Sequence, residues 1–333
     1  MSNETILTNS TIILEDKVVK GTIVFSERAI KSIDSGVSSL PAAIDVEGDI
    51  VAPGIVEMHT DNMEKHFVPR PGVFWPNGLS AALAHDAQMV AAGVTTVYDS
   101  ICAGSIYGQK DYRREIFAKV IDAVAEGQDK NLFRIDHAIH IRCELTGDEL
   151  IYNIGSGEKT EEQHDADVAL RMDIGPKNFE KNWPIIVDMF GARHIPIATH
   201  DDTTEDDVIL GREAGAVISE FPTTVEAATA AQKHGMATIL GAPNVVRGGS
   251  HSGGVSASHL ATLGLLDGLS SDYVPSSLLQ AVVKLNTDFD LPLAQTMGMV
   301  TWKIADMVGL KDRGRLKPGA RSDVLRFKVL DGS

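Results

Sequence analysis

An imidazole and a carboxylate stand two residues apart at the end of an apolar run. His59 and Asp61 follow residues 50–56, which are almost wholly apolar. Because side chains alternate along a strand, this spacing puts both groups on one side of a strand end. Together they form half of a divalent metal site, although a solvated turn is the ordinary alternative.

A second polar set alternates with apolar residues. His140, Arg142 and Glu144 occupy every other position of residues 139–144. They share one face of an apolar strand, where buried polar groups need partners. We expect Glu144, nearest the strand end, to bridge two metals and Arg142 to meet an anion. A structural salt bridge is the alternative.

Two further strand-like runs end in ionisable residues. His200 closes one apolar run, and Asp272 follows the short run 268–271. Barrel enzymes carry their chemistry at the C-terminal ends of the strands. Asp272 can ligate a metal there and take a proton from water, or it can simply cap a helix. Asp202 or Thr203 suits the N-cap of the next helix without competing with His200.

Two loops combine glycine or proline with cations. Residues 241–254 contain five glycines, and residues 65–72 directly follow the first motif. Glycine lets the backbone approach an anion closely, and cationic side chains add charge. The donors that these loops offer are Lys65, Arg70, Arg247, Ser250 and His251. Phosphate binding is one interpretation, and a flexible surface loop is the other.

The remaining histidines show no partner pattern. They are His85, His137, His194, His234 and His259. We interpret them as surface or packing residues.

The elements that must position these groups alternate between strand-like and helical patterns. Strand-like runs lie at residues 55–58, 94–98, 138–141, 195–198, 216–219, 236–240 and 268–271. Helical patterns lie at residues 80–92, 113–126, 205–214 and 224–234. This alternation predicts an α/β fold with parallel strands and crossover helices. Seven or eight units suit a closed (β/α)₈ barrel better than a doubly wound sheet, which stays open as an alternative.

Both ends of the chain have short strand patterns. Runs at residues 12–14, 21–25 and 30–33 precede the barrel, and residues 314–327 return to strands and a turn. We predict one small β module built from residues 1–54 and 315–333, with the barrel in residues 55–314.

Composition limits the class of protein. The net charge of −16 argues against binding to nucleic acid or anionic membranes. The two cysteines, Cys102 and Cys143, cannot form a disulfide framework, which favours a reducing, cytoplasmic setting. The first residues lack the features of a signal peptide, and no apolar run reaches the length of a membrane span.

The order of the motifs resembles that of the amidohydrolase superfamily: an HxD pair, a strand-end Glu, a His and a last-strand Asp. Longer strings are similar to one branch, the α-D-ribose 1-methylphosphonate 5-triphosphate diphosphatases of the carbon–phosphorus lyase pathway. These strings lie at residues 59–62, 69–71, 140–145, 199–202, 220–224, 241–244, 247–253 and 271–273. Residues 53–56 and 317–323 resemble the superfamily's entry to and exit from its β module, expected to be a β sandwich.

The resemblance implies a binuclear, zinc-type site that hydrolyses a ribose 5-triphosphate to the 5-phosphate and pyrophosphate. The residues that match the metal-binding positions of the family are His59, Asp61, Glu144, His200 and Asp272. Candidates for the phosphate and phosphonate groups are Lys65, Arg70, Arg142, Asn244, Arg247 and His251. Asp272 would be the base. The substrate would be a phosphorylated sugar, with homodimer formation left open. The bound metals and nearby cationic side chains would make the site positive enough to bind an anionic substrate, although the protein as a whole is acidic.

Two departures from the family pattern leave part of the site open. Where the family has a further strand ending in Met-Asp-His, residues 146–157 lead almost directly into a helical stretch, so one barrel strand is missing or not represented. Glu220 occupies the strand end where the superfamily usually has its second histidine. Nitrogen and oxygen ligands also admit manganese, iron or nickel.

Two other functions remain as alternatives. One is hydrolysis or deamination of a C–N bond in a small cyclic substrate, which is common on this scaffold. The other is non-catalytic binding of a phosphorylated sugar.

Overall fold

A computed structural model describes residues 4–103, 112–146, 161–250 and 252–330. The chain folds into an antiparallel-rich sheet beside an α/β region of seven parallel strands. Within these ranges, no helix combines the length and apolar character needed to cross a bilayer.

The first sheet joins both ends of the chain. Its strands are β1 (Glu4–Ile13), β2 (Val18–Ser26), β3 (Ile30–Ser35), β4 (Ala43–Asp45), β5 (Ile50–Pro53) and β13 (Val324–Phe327). The order is β13-β5-β1-β2-β3, with β4 on β1, and β13 runs antiparallel to β5. Buried aliphatic residues such as Ile12, Ile23 and Val51 form its core. A β sandwich needs two sheets, and the described residues of the two terminal segments form only this one.

The α/β region confirms the predicted alternation. Its strands are β6 (Ile55–Thr60), β7 (Val94–Ala103), β8 (Asp136–Cys143), β9 (Ile197–His200), β10 (Ala216–Glu220), β11 (Ala237–Gly241) and β12 (Gly268–Ser270). All neighbouring pairs are parallel, in the orders β6-β7-β8 and β12-β11-β10-β9. A bridge between Thr60 and Asp272 joins the two sheets.

Helices separate and follow these strands. They are α1 (Asn62–Phe67), α2 (Gly78–Ala91), α3 (Tyr112–Asp129), α4 (Glu161–Gly191), α5 (Glu205–Glu213), α6 (Val225–Lys233), α7 (Ala242–Arg247), α8 (Ala257–Thr262), α9 (Ser277–Asp288), α10 (Leu293–Gly298) and α11 (Trp302–Met307). Apolar helix faces pack on the strands, so β6 is buried at all of its residues. Buried strands read as continuous apolar runs for this reason.

One cap prediction is wrong. Thr204, rather than Asp202 or Thr203, is the N-cap of α5, and it forms a capping box with Asp207. The carboxylate of Asp202 is buried instead and accepts hydrogen bonds of 2.5 Å from the hydroxyls of Thr199 and Ser219. Asp202 therefore links β9 to β10 next to His200.

The parallel strands do not close into a ring within the described part of the chain. β8 ends the first sheet and β9 ends the second, and the two are not paired with each other there. The predicted loss of a barrel strand falls between β8 and α4, where residues 147–160 lie outside the described ranges. Closure of the barrel thus remains a prediction.

Candidate metal centre

The C-terminal ends of four parallel strands bring imidazoles and carboxylates to one mouth. His59 lies near the end of β6, His200 ends β9, Glu220 ends β10, and Asp272 follows β12. Parallel strands place such ends at one edge of the sheet. Residues from distant parts of the sequence therefore meet here.

The tightest contact joins His59 to Glu220. Nδ1 of His59 lies 3.1 Å from Oε2 of Glu220, and both side chains are almost completely buried. Burial opposes ionisation of the Glu220 carboxyl, but the charge of His59 and the hydrogen bond from its ring outweigh burial and lower the pKa of Glu220 to about 2. Glu220 is a permanent buried anion at physiological pH.

His140 completes this group from β8. Its Nδ1 lies 2.9 Å from the carbonyl oxygen of Met58, which can only accept a hydrogen bond, so Nδ1 carries the proton. Nε2 is then left as a lone pair, 3.7 Å from Oε2 of Glu220. Burial lowers the pKa of His140, which keeps the ring neutral. Metal-binding histidines are commonly oriented in this way.

A buried oxygen tests whether this group fits a metal. Oε1 of Glu220 is buried and has no hydrogen-bond partner among the described residues. An ionised buried oxygen without a donor is costly, and a cation would satisfy it. One ligand atom each from His59, His140 and Glu220 lies within 4.8 Å of the others. The residues fit a divalent metal with nitrogen and oxygen ligands.

A second group shares His59 with the first. Ligand atoms of His59, Asp61 and Asp272 also lie within 4.8 Å of one another. The backbone holds these residues in place: Asp272 donates its N–H to the His59 carbonyl at 3.1 Å, and Asp61 donates its own to the Asp272 carbonyl at 2.8 Å. Three of the five predicted ligands therefore meet.

The other two predicted ligands differ in position. The His200 ring lies 5.6 Å from the His59 ring, and its Nδ1 lies 3.0 Å from Oδ2 of Asp201. Glu144, directly after β8, accepts a hydrogen bond from the Thr146 hydroxyl at 2.6 Å. Among the described residues, Glu144 belongs to neither group of potential ligands.

Three residues at the mouth have left-handed backbone angles. Asp201, Phe221 and Asp272 have φ values of 63°, 54° and 52°. Asp201 and Phe221 directly follow His200 and Glu220, so the chain turns sharply as it leaves these strands. Such angles are costly for non-glycine residues and concentrate at functional sites.

Glu57 braces the two strands that carry the second group. Its carboxylate accepts the backbone N–H of His59 at 2.7 Å and that of Ser271 at 2.6 Å. Burial raises the pKa of Glu57 to about 7, although these two hydrogen bonds partly oppose the rise. The side chain fixes the spacing between β6 and β12.

Two arginines are paired with acidic groups of the first motif. Nη1 of Arg142 lies 3.0 and 2.8 Å from the two carboxylate oxygens of Asp61. Arg113 reaches Glu64 at 2.9 Å and Asp61 at 3.4 Å. Burial opposes ionisation of Asp61, but Arg142, His59 and Arg113 lower its pKa overall. The charge of Arg142 therefore faces Asp61.

Two of the predicted phosphate ligands converge on Tyr273. Nζ of Lys65 lies 2.5 Å from the Tyr273 carbonyl oxygen, and Nη1 of Arg247 lies 3.5 Å from its hydroxyl. Tyr273 directly follows Asp272. Neither cation forms an ion pair with the carboxylates that the structure describes, so their charge is available to an anion beside the metal centre.

The remaining predicted phosphate ligands are placed differently. Asn244 donates to the Val255 carbonyl and accepts from the Ala257 N–H, so its amide joins α7 to α8. Arg70 is exposed and forms a tight backbone bridge with Val73. His251 lies outside the described residues.

Sequence reasoning missed two of the residues that meet at the centre. The sequence places Glu220 where the superfamily usually has a histidine, although an acidic residue ending an apolar parallel strand is itself a signal. Alternation predicts that His140 shares a face with Arg142 and Glu144, but it assigns His140 no metal role. The signal in each case was a polar residue facing a buried region.

Comparison with known proteins places this geometry in a family. No protein-family model matches the chain. The α-D-ribose 1-methylphosphonate 5-triphosphate diphosphatase of Escherichia coli (strain K12) is 38% identical over 359 residues, covering 96% of this chain and 94% of the relative. That span exceeds the 333 residues of the chain, so the relative has internal residues without a counterpart here.

Solved structures agree on the fold. N-acetylglucosamine-6-phosphate deacetylase from Pasteurella multocida superposes with a TM-score of 0.64 at 12% identity, over 97% of this chain and 95% of that one. An amidohydrolase superposes with a TM-score of 0.61 at 16% identity, over 97% and 92%. The chain belongs to the family of the α-D-ribose 1-methylphosphonate 5-triphosphate diphosphatase.

Proposed function

We propose that this protein hydrolyses α-D-ribose 1-methylphosphonate 5-triphosphate to the 5-phosphate and pyrophosphate. The observation that carries the proposal is the buried, unpartnered Oε1 of Glu220 amid three imidazoles, in a chain 38% identical to that diphosphatase. The site offers a ligand to a cation, and the name of the relative indicates which substrate to test.

We assign the metal-binding role to His59, Asp61, His140, His200, Glu220 and Asp272. When bound there, a divalent cation supplies Lewis-acid polarisation of a phosphoryl oxygen and makes water more acidic. Arg142 holds Asp61 ionised and oriented through its two contacts of 3.0 and 2.8 Å. His140 is held by the Met58 carbonyl, and Glu57 keeps β6 and β12 in register.

Asp272 acts as the base in this proposal. Its carboxylate accepts a proton from the attacking water, while the water oxygen bonds to the phosphorus nearest the ribose. The bond from that phosphorus to the bridging oxygen breaks, and pyrophosphate leaves with the electron pair. Because the backbone N–H and carbonyl of Asp272 are hydrogen-bonded to His59 and Asp61 at the end of β6, the carboxylate needs little reorganisation.

Lys65 and Arg247 bind the triphosphate in this scheme. They approach the backbone carbonyl and the hydroxyl of Tyr273, respectively, and lack carboxylate partners among the described residues. Cations in this position stabilise charge that develops on the leaving pyrophosphate. Arg70, Asn244 and His251 would contact the phosphate and phosphonate groups in the same scheme.

Several finer features belong to the same proposal. They are two zinc ions, a bridging role for Glu144, a closed (β/α)₈ barrel in residues 55–314 and a β sandwich from residues 1–54 and 315–333. We also propose that the protein is cytoplasmic and forms a homodimer. Its ligand would be a phosphorylated sugar, with no nucleic acid or membrane partner.

The test is product analysis with purified, metal-loaded protein and the ribose 5-triphosphate. We expect one pyrophosphate for each 5-phosphate, with Asp272→Asn losing turnover and the exposed control Glu213→Gln retaining it. Stepwise release of orthophosphate would contradict the proposal. Amine or ammonia release from cyclic amides without pyrophosphate release would favour C–N hydrolysis, and tight binding without turnover would favour a binding protein.

A further inference from the structure

A buried chain of hydrogen bonds runs behind the metal centre. It starts at Asn62, the first residue of α1 and the neighbour of Asp61, and passes through α2 and β7 to β8. Its members are Asn62, His85, Asp99 and His137, and each is 5% exposed or less. The sequence left His85 and His137 without partners, and the structure shows that both contact Asp99.

We propose that these four residues are a positioning network that holds Asp61 in place for metal binding. The inference rests on the proposed metal centre, but none of the four residues is assigned as a metal ligand. They act through Asp61, since they fix the residue that follows it.

The contacts are short and continuous. Nδ2 of Asn62 lies 3.1 Å from Nδ1 of His85, and Nε2 of His85 lies 2.8 Å from Oδ1 of Asp99. The other oxygen of Asp99 lies 2.7 Å from Nδ1 of His137. Every link joins different secondary-structure elements, so the chain ties α1 to α2, β7 and β8.

The donor and acceptor roles allow a single arrangement. The Asn62 amide nitrogen also lies 3.0 Å from the Gln88 amide oxygen, so its two hydrogens serve Gln88 and His85. Nδ1 of His85 must then accept, and Nε2 carries the hydrogen that is donated to Asp99. A network satisfied in one pattern specifies one orientation for each member.

The same pattern argues against a separate cation site. Ligand atoms of His85, Asp99 and His137 lie within 4.8 Å of one another, as in a metal site. However, His85 Nε2 carries a hydrogen here, and the contacts of 2.7 and 2.8 Å are direct hydrogen bonds. Asp99 is thus satisfied by the two imidazoles without an ion, and Nε2 of His137 faces Oδ1 of Asp86 at 3.5 Å.

The position of Asp61 depends on the residue that follows it, because the Asp61 side chain does not cap α1. Asp61 occupies the N-cap position of α1 but makes no side-chain capping hydrogen bond, so its carboxylate faces Arg142, Arg113 and His59 instead. The helix is only six residues long, too short to hold its start by itself. Anchoring Asn62 to β7 through His85 supplies that rigidity.

The test separates positioning from general stability. His85→Gln keeps a donor for Asp99, because the glutamine nitrogen matches Nε2, but removes the acceptor for Asn62. Asn62→Leu breaks the same link from the other side. Ser10→Ala is the control: it removes a buried hydrogen bond of 2.8 Å from the Ser10 hydroxyl to the Gly21 carbonyl, in the sheet that joins the chain ends. Binding of Mn²⁺ or Zn²⁺ alone is titrated in each folded protein.

We expect His85→Gln and Asn62→Leu each to weaken metal binding by roughly 10- to 100-fold, as changes behind metal ligands do. The double variant should lose no more than one single variant. Ser10→Ala should lower the melting temperature with metal affinity unchanged. Unchanged affinity in both link variants, an equal loss in Ser10→Ala, or an extra ion at Asp99 would overturn the network. Failure of the unsubstituted protein to bind metal would instead overturn the proposed function.

Discussion

The carboxylate of Glu220 lies 3.1 Å from Nδ1 of His59, although 161 residues separate them along the chain. One carboxylate oxygen faces the imidazoles, and the other is buried without a hydrogen-bond partner in the described ranges. Removing the negative charge of Glu220 should therefore weaken metal binding more than it destabilises the fold.

Glu220→Gln should lose at least half of the bound metal and lower turnover by about 100-fold or more. The amide keeps the shape of the side chain but cannot supply an anionic ligand to the cation. Metal content by elemental analysis, with Glu213→Gln as an exposed control on α5, checks this. Full metal content in Glu220→Gln would show that the carboxylate is not a ligand.

Arg142→Gln should distinguish two roles for one residue. The sequence indicates a phosphate ligand, whereas the structure pairs Arg142 with both oxygens of Asp61. We expect weaker metal binding, by about tenfold, with the inhibition constant of pyrophosphate nearly unchanged. The reverse result, with normal metal affinity and weak pyrophosphate binding, would restore the phosphate role.

Lys65→Met and Arg247→Met should each raise KM about tenfold or more with less effect on kcat. Both cations reach Tyr273, so we expect Tyr273→Phe to raise KM only a few-fold by releasing Arg247. Steady-state kinetics on the ribose 5-triphosphate measure these changes. Lys284→Met, which removes an exposed cation paired with Asp288, is the control. Equal KM values in all four variants would refute the assignment.

His137→Gln should destabilise the fold more at pH 6 than at pH 9. Burial opposes the charged imidazole, but Asp99 and Asp86 outweigh it and raise the pKa of His137 above its ordinary value. A raised pKa stabilises the fold fully below the unfolded value of about 6.5 and less as pH rises through the folded value. Breaking a buried charged pair costs roughly 3–5 kcal/mol.

Urea denaturation at the two pH values measures this loss. His259→Gln, at an exposed position on α8, serves as the control and should show no such pH dependence. An equal or larger loss at pH 9 would mean that His137 is neutral in the folded protein.

Local pattern was sufficient to predict the strands and the convergence of His59, Asp61 and Asp272 at one edge, whereas their metal role stays a prediction. Apolar runs and alternation are properties of neighbouring residues, and the ends of parallel strands must share one edge. The contacts of Glu220 and Arg142 could not be predicted in the same way. Each depends on which strand ends come within a few ångströms, which is settled by register and by β12 joining β6 through Thr60 and Asp272.

The buried histidines show the same limit. His85 and Asp99 come from α2 and β7, and their pairing follows from how that helix packs on that strand. Nothing in the spacing of either residue indicates the other. Closure of the barrel stays a prediction, because residues 147–160 lie outside the described ranges.

An anomalous-difference map of crystals grown with Zn²⁺ or Mn²⁺ would locate the ions themselves. We expect a peak within about 2.0–2.3 Å of the Glu220 carboxylate and of an imidazole nitrogen of His59 or His140. A map with peaks only at Glu144, or with no peak among His59, His140 and Glu220, would contradict the assigned centre.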